Sequence, residues 1–516
     1  MSLARDVTTV GSATLLSRLL GFFRDVGIAA VLGAGALSDA YFVALQIPNL
    51  FRRLLAEGAL NSAFVPMWMR IRDESGGARR FGEEVLGTML VALAAFAVLC
   101  VVFAPTVVAL IAPGFGVEDA RFADAVEFVR LSAPYVAVAA LVAVSSSILN
   151  AEARVAAAAF GLVAFNGVML VAVVAVVFLG PSRRAGDILS VAVVLAGLAQ
   201  LLLVGAALWR LPQRPRRPIV SASANLRRFF AKAVPGVLAG GVPQLKLIVG
   251  TMVASSSPSA VSWLYYANRL YELPLGVASV AIASALAPRI AASVRVGERA
   301  EIAAAQSRAL EIALGLALPA AVAFAALSEP IAGALFERGA FGRQETAAVA
   351  AALTAISAGL PGHVLEKVLG AVSFAHQDTR TPMGAALAGL AVAAAMAVLL
   401  FPRYGHVGVA AAIAVSGWIG ATLLAIVLLR RGWLAIDAAA WRRLSRIAAA
   451  TGVMGAGILA GDELLAVMFD VTSTSPRRIA ALATLVVGGL GIYLLALQRL
   501  GIGRLREMIA AVRQRI

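Results

Sequence analysis

Apolar stretches of about 20 residues or more recur along almost the whole of this 516-residue chain. Each is long enough to cross the ~30 Å hydrocarbon core of a bilayer as a helix. They lie near 8–32, 38–68, 86–112, 122–149, 156–179, 188–209, 229–255, 259–291, 303–327, 346–372, 382–401, 405–429, 443–467 and 479–498, which predicts about 14 spans. Little sequence remains between them for a soluble domain. With 61% hydrophobic and only 14% charged residues and a mean hydropathy of +0.90, an ordinary soluble globule is excluded. The expected fold is an all-α polytopic membrane protein.

An even number of spans puts both termini on one side. If that side is cytoplasmic, most of the 44 basic residues fall in inner loops and termini, as the positive-inside rule requires. The strongest inner clusters are Arg210, Arg214, Arg216, Arg217, Arg227 and Arg228, then Arg430, Arg431, Arg442, Arg443 and Arg446. Beside anionic headgroups such clusters anchor topology. The net charge of +16 is therefore no argument for a nucleic-acid partner. Arg18, Arg24 and Asp25 interrupt the first apolar run, and no small-residue cleavage site follows it, so it reads as a retained helix rather than a signal peptide.

Catalytic and metal chemistry find little support. Cys100 is a lone cysteine inside an apolar span, and His363, His376 and His406 are dispersed; neither set has metal-ligand spacing. No Gly-rich loop ends in Gly-Lys-Ser/Thr, so no nucleotide engine is expected. The chain reads as a transporter rather than an enzyme, without a cofactor, driven by a Na+ or H+ gradient, the membrane potential or product removal.

The Arg/Pro-rich segment from Arg210 to Pro218 divides the chain. Sliding the sequence by 222 residues lays Lys246 on Arg24, Trp263 on Tyr41 and Pro288 on Pro66. This matches a transporter of two parallel six-helix repeats whose rocking exposes a central cavity to each side in turn. The expected organisation is an N-terminal lobe at 1–218, a C-terminal lobe at 219–432, and two extra helices with a cytoplasmic tail at 433–516.

Four arginines lie within these apolar helices: Arg18 and Arg24 in the first, Arg52 in the second and Arg269 in the eighth. A guanidinium stays charged and costs roughly 2.5–3.5 kcal/mol to place at a helix centre, so a chain that keeps several is expected to use them on an anion within the bilayer. Arg18 and Asp25 project on nearly the same helix face, with Arg24 about 120° away, and Gly21 and Gly27 allow a bend. In the second span Arg53 and Glu57 are four residues apart and can neutralise each other, leaving Arg52 the freer cation beyond a kink at Pro48. In the eighth, Arg269 and Glu272 are placed for a local ion pair, while Pro274 and Pro288 permit bending.

Arginines converging from different helices suit a polyanion such as a diphosphate, because the guanidinium fork binds it bidentately. Asp39 would oppose such an anion and is expected to be a gate partner for an arginine. The alternative is that all these charges pair with one another to hold the helices together.

The stretch SRLLGFFRDVGIAAVLGAGALSDAYFVALQIPNLFRRLLAEGALNSAFVP strongly resembles the start of the MurJ/MviN lipid II flippase family, within the multidrug/oligosaccharidyl-lipid/polysaccharide exporter superfamily. LYYANRLYELPLGVASVAIASALAP, LFERGAF and HQDTRTP extend the resemblance along the chain. It implies a bacterial inner-membrane protein moving undecaprenyl-diphosphate-linked disaccharide pentapeptide from the cytoplasmic to the periplasmic leaflet for peptidoglycan synthesis. Lipid II, membrane lipids and the peptidoglycan-synthesis machinery would be its partners. The family's essential cavity arginines fall on Arg18, Arg24, Arg52 and Arg269, its acidic partners on Asp25, Asp39 and Glu57, and its prenyl-tail groove on spans thirteen and fourteen.

Two positions bear on any transfer of family roles. Asn268 stands where many relatives carry an acid before the helix-eight arginine. Some relatives bind sodium in the second lobe, where Asp378 is the one obvious carboxylate; at a loop edge, capping or loop pairing is its expected role ahead of a metal site. Rival readings are a flippase for another prenyl-diphosphate-linked glycan and a drug or cation antiporter of the superfamily; the latter would need acidic cavity residues to dominate. A membrane-embedded glycosyltransferase would need a larger outer loop.

Overall fold

The computed structural model describes residues 3–56, 59–75, 77–180, 184–468 and 476–502. Among the described residues every regular element is helical, as expected where hydrocarbon offers the backbone no hydrogen-bond partner. Ten helical runs among the described residues are long and apolar enough to cross a membrane; the expected fourteen is not reproduced as a count. Part of the difference is that one 51-residue element, Arg380–Arg430, covers two expected spans, divided at Gly405 (φ 54°, ψ −138°). A positive φ at that point suits glycine, and it breaks a helix far too long for one crossing. The chain packs as two compact units, the first ending at Ser259 and also holding Gly339–Phe341, the second beginning at Ala260.

The first unit contains α1 (Leu3–Leu32), α2 (Ala36–Ala44), α3 (Gln46–Ala56), α4 (Ala59–Ser75), α5 (Ala78–Val102), α6 (Ala104–Ile111), α7 (Ala120–Ser132), α8 (Tyr135–Ala151), α9 (Val155–Leu179), α10 (Arg184–Trp209) and α11 (Ala224–Ala254). Small residues let these helices approach closely. A Cβ on Gly27 of α1 would sit 2.5 Å from Val173 Cγ1 of α9, and one on Gly197 of α10 would sit 2.6 Å from the Tyr135 ring of α8. Gly27 therefore serves packing in this structure. Phe64 of α4 stacks with both Trp68 of α4 and Phe81 of α5, and Phe229 of α11 meets Phe64 and Phe81 edge-on. All four rings are buried. The Arg/Pro-rich loop is pinned to α5: Ile219 N donates to Glu83 O at 2.9 Å, and Arg216 N donates to Glu83 Oε1 at 2.8 Å.

The second unit contains α12 (Ala260–Ala281), a π-helical turn (Ile282–Leu286), α13 (Ala287–Val296), α14 (Arg299–Ala326), α15 (Ser328–Phe336), α16 (Arg343–Ser357), α17 (Leu360–Ala375), α18 (Arg380–Arg430), α19 (Ala438–Met468) and α20 (Pro476–Arg499). Pro288 lacks the N–H that would close the turn onto Ser284, and the widened turn lies directly before it. The irregularity at Pro288 thus takes the form of a π-helical turn. The α19–α20 pair is fastened to α14 and α15 by Tyr493 Oη donating to Gly315 O at 2.8 Å, Arg443 bonding Glu311, and Arg478 pairing with Glu337 at 3.1 Å.

These packing units divide after residue 259, because α11 joins the aromatic core of α4 and α5. The expected lobes at 1–218 and 219–432 and the helix pair at 433–516 rest on the sequence repeat, a different criterion that this packing does not test. Tail residues 503–516 lie outside the described residues, as does Glu57.

Candidate functional site

On α1, the Arg24 guanidinium folds back on its neighbour: Nε and Nη2 donate to Asp25 Oδ1 at 2.9 and 2.7 Å. Its Nη1 donates to Asn166 Oδ1 on α9 at 3.0 Å. The Asn166 amide in turn donates to Ser17 O and Ser17 Oγ, both at 3.0 Å. Asp25 is buried and Arg24 half-buried. The network spans two turns of α1 and holds the Arg24 charge beside a carboxylate, with all three guanidinium nitrogens bonded to Asp25 or Asn166. Arg18, one residue beyond Ser17, is exposed, so Arg18 and Asp25 occupy different surroundings despite their similar helical phase.

Arg52 and Arg53 are half-buried on α3. The helix breaks at Leu45, three residues before Pro48, which places the proline in the first turn of the new helix, where its missing N–H is tolerated. Gln46 Nε2 donates to Thr251 Oγ1 of α11 at 2.9 Å, fixing the start of α3. The expected Arg53–Glu57 pairing falls on a residue outside those described.

Asp39 of α2 is fully buried. Its Oδ2 accepts Ser259 N–H at 2.7 Å and lies 3.5 Å from Arg121 Nη1 of α7. Arg121 also donates from Nε to Asp119 Oδ2 at 2.8 Å and from Nη1 to Ser255 O and Ser257 O at 3.4 Å, with its guanidinium 4.4 Å over the Phe115 ring. The Arg121 guanidinium beside it holds the Asp119 carboxyl below the ordinary range. Sequence reading passed over Arg121; the signal was a basic residue two positions after an N-capping Asp at the head of an apolar helix. Asn166 carried no comparable signal.

In the second unit Arg269 Nη1 lies 3.4 Å from Glu272 Oε2, the local pair its spacing suggested. Asn268 Nδ2 donates to Glu272 Oε1 at 3.4 Å, so its amide solvates that glutamate. Asp378 acts as a loop and cap residue. Its Oδ1 accepts Arg380 N and Thr381 N at 2.9 and 3.1 Å, and its Oδ2 takes Thr381 Oγ1 and Arg431. The Thr381 hydroxyl, backed by the two amides and Arg431, holds its pKa at about 2 against partial desolvation. Both oxygens are committed to donors, which leaves poor provision for a cation.

Fold and polar clusters together define a polytopic membrane transporter of two helical units. The chain belongs to the lipid II flippase MurJ family, whose family model, described as "Lipid II flippase MurJ", matches residues 28–479. A probable lipid II flippase MurJ of Rhizobium meliloti (strain 1021) is 39% identical over 501 residues, covering 96% of this chain and 93% of the relative. The lipid II flippase MurJ of Burkholderia cenocepacia (strain J2315) is 32% identical over 498 residues, covering 94% and 95%. Among solved structures, a lipid II flippase MurJ in an inward closed conformation matches with a TM-score of 0.79 at 22% identity over 97% of this chain and 99% of that one. An inward-facing MATE family transporter of the MOP superfamily matches at 0.67 and 16%, over 82% and 98%.

Proposed function

We propose that this chain moves lipid II, the undecaprenyl-diphosphate-linked peptidoglycan precursor, from the cytoplasmic to the periplasmic leaflet of the bacterial inner membrane by alternating access. The observation that carries the reading is family membership across residues 28–479. A disaccharide diphosphate crossing unaided would leave its charges and polar groups unsolvated. Arg18, Arg24, Arg52 and Arg269 replace those lost partners, with Asp25, Asp39, Arg53, Glu57 and Glu272 as alternating charge partners while the arginines are not on substrate. The Arg24–Asp25–Asn166 network supports this role because it fixes the orientation of a cation kept within an apolar helix. Both termini are cytoplasmic, and α19 and α20 attend the prenyl tail. The membrane potential biases the cycle, at about 2.3 kcal/mol per elementary charge per 100 mV.

The test is leaflet accessibility of lipid II in cells depleted of this protein and rescued by wild type or Arg269→Ala. Restoration by wild type alone supports both the substrate and the arginine. Unchanged exposure on depletion, in a strain lacking a second flippase, removes the substrate assignment.

A further inference from the structure

The described residues of the first unit form an open recess of about 280 Å³ between α4 and α11, lined by Ser62, Ala63, Pro66, Met67, Arg70 and Lys232. That is near the roughly 300 Å³ lower end for small-molecule pockets. Its position follows from helix phase. Ser62, Pro66 and Arg70 recur every four residues and share one face of α4, whereas Phe64, Trp68 and Ile71 fill the aromatic core on the other. On α11 the same division sends Phe229 and Ala233 into that core and leaves Lys232 exposed.

Two cations therefore border a recess whose walls are otherwise small or apolar. Arg70 has one ion pair among the described residues, to Glu74 at 4.0 Å, with both side chains largely exposed; Lys232 makes none there. Asp73, the other acid nearby in sequence, is engaged by Arg72 at 3.0 Å. The acids of the facing helix start are also engaged: Glu83 by Arg216 N and Glu84 by Ser223 Oγ. The local balance is cationic. The recess lies towards the end of the unit where α4 runs out, α5 begins and the Arg210–Ser223 loop is pinned, and a concentration of arginines marks that end as cytoplasmic.

We propose that Arg70 and Lys232 form a diphosphate-binding subsite at the cytoplasmic face of the first unit, which takes the head of a prenyl diphosphate before the buried arginines do. This rests on the flippase reading for its ligand. Two flexible, exposed cations bind a dianion loosely and exchange it fast, which suits capture from the leaflet surface, and their field raises the local concentration of anions. The hydroxyl of Ser62 supplies a neutral hydrogen-bond partner for a phosphoryl oxygen. The same chemistry would accept a phospholipid headgroup or free diphosphate, so the probes must separate these sources.

The experiment is native mass spectrometry of the full chain in detergent with three probes: farnesyl diphosphate, inorganic pyrophosphate and phosphatidylglycerol. Wild type, Arg70→Gln/Lys232→Gln, Arg70→Lys/Lys232→Arg and Arg269→Ala are compared. Both cations are exposed, so the variants should fold, and matched thermal unfolding checks this. The expected result is a roughly 10- to 30-fold weaker affinity for farnesyl diphosphate in the double Gln variant, about a factor of five per cation, and retention in the charge-conserving variant. Parallel loss of pyrophosphate binding also supports the proposal, since the head alone is then recognised. Unchanged farnesyl diphosphate binding in the double Gln variant overturns it, and if Arg269→Ala is weakened in the same series the flippase reading survives alone. Selective loss of phosphatidylglycerol overturns it in favour of a phospholipid site. Absence of farnesyl diphosphate binding by wild type overturns both.

Discussion

Arg24 and Asn166, 142 positions apart in sequence, are joined by a 3.0 Å hydrogen bond from the guanidinium to the side-chain amide oxygen. With the adjacent Asp25 taking the other edge of the guanidinium, Arg24 is oriented by two helices at once.

Asn166→Ala is expected to impair translocation although the residue carries no charge. Hydrogen bonds to charged groups contribute about 1.5–3 kcal/mol, so lipid II exposure in a complementation assay should fall roughly tenfold or more. Arg24→Lys should fall comparably, because an ammonium cannot span Asp25 and Asn166 together. Full activity in Asn166→Ala would show that the network does not position Arg24.

Asp39→Ala is expected to destabilise the first unit by about 3–5 kcal/mol, the usual cost of stranding one member of a buried ion pair. It leaves the Ser259 amide without its carboxylate and weakens the hold on Arg121. Asp39→Asn keeps an acceptor for that amide and should cost less. Thermal unfolding in detergent ranks wild type, Asn and Ala in that order; equal stability of all three variants would remove the structural role assigned to the carboxylate.

Gly27→Ala is expected to destabilise by about 1–3 kcal/mol through overpacking, since its Cβ would meet Val173 Cγ1 at 2.5 Å. Val173→Ala should relieve it, giving a double-mutant coupling of opposite sign. Additive losses would show that α1 and α9 separate instead of repacking at this point.

The Asp378 loop should weaken in acid. Its pKa is depressed to about 2 from an ordinary 3.8, so the stabilisation is fully present above about pH 4 and is lost as the pH falls towards 2. Asp378→Asn should be less stable than wild type at neutral pH, with the difference shrinking across that window. A pH-independent difference would mean that capping geometry rather than ionisation carries the effect.

The same residues show where reading the chain stopped. Helix-length hydropathy identified an all-helical membrane protein, though not the number of its spans, since hydrocarbon compels the backbone to satisfy itself whatever the fold. The i,i+3 spacing placed Glu272 beside Arg269. The break near Pro48 was legible because a missing N–H is a local property, although the helix yields at Leu45, where the new helix can take the proline in its first turn. Asn166 and Arg121 were not legible, because each acquires its meaning from a partner on another helix.

By itself the sequence determined an all-helical membrane protein and which cations it keeps in apolar surroundings, for these follow from local periodicity and the cost of charge in hydrocarbon. Only the tertiary structure decided that Asp25 and Asn166 orient Arg24, that Asp39 is bonded to Arg121 and the Ser259 amide, and that Gly27 serves contact with Val173. A buried polar group is satisfied by whichever donor or acceptor packing brings within about 3 Å, and that choice is made between helices distant along the chain.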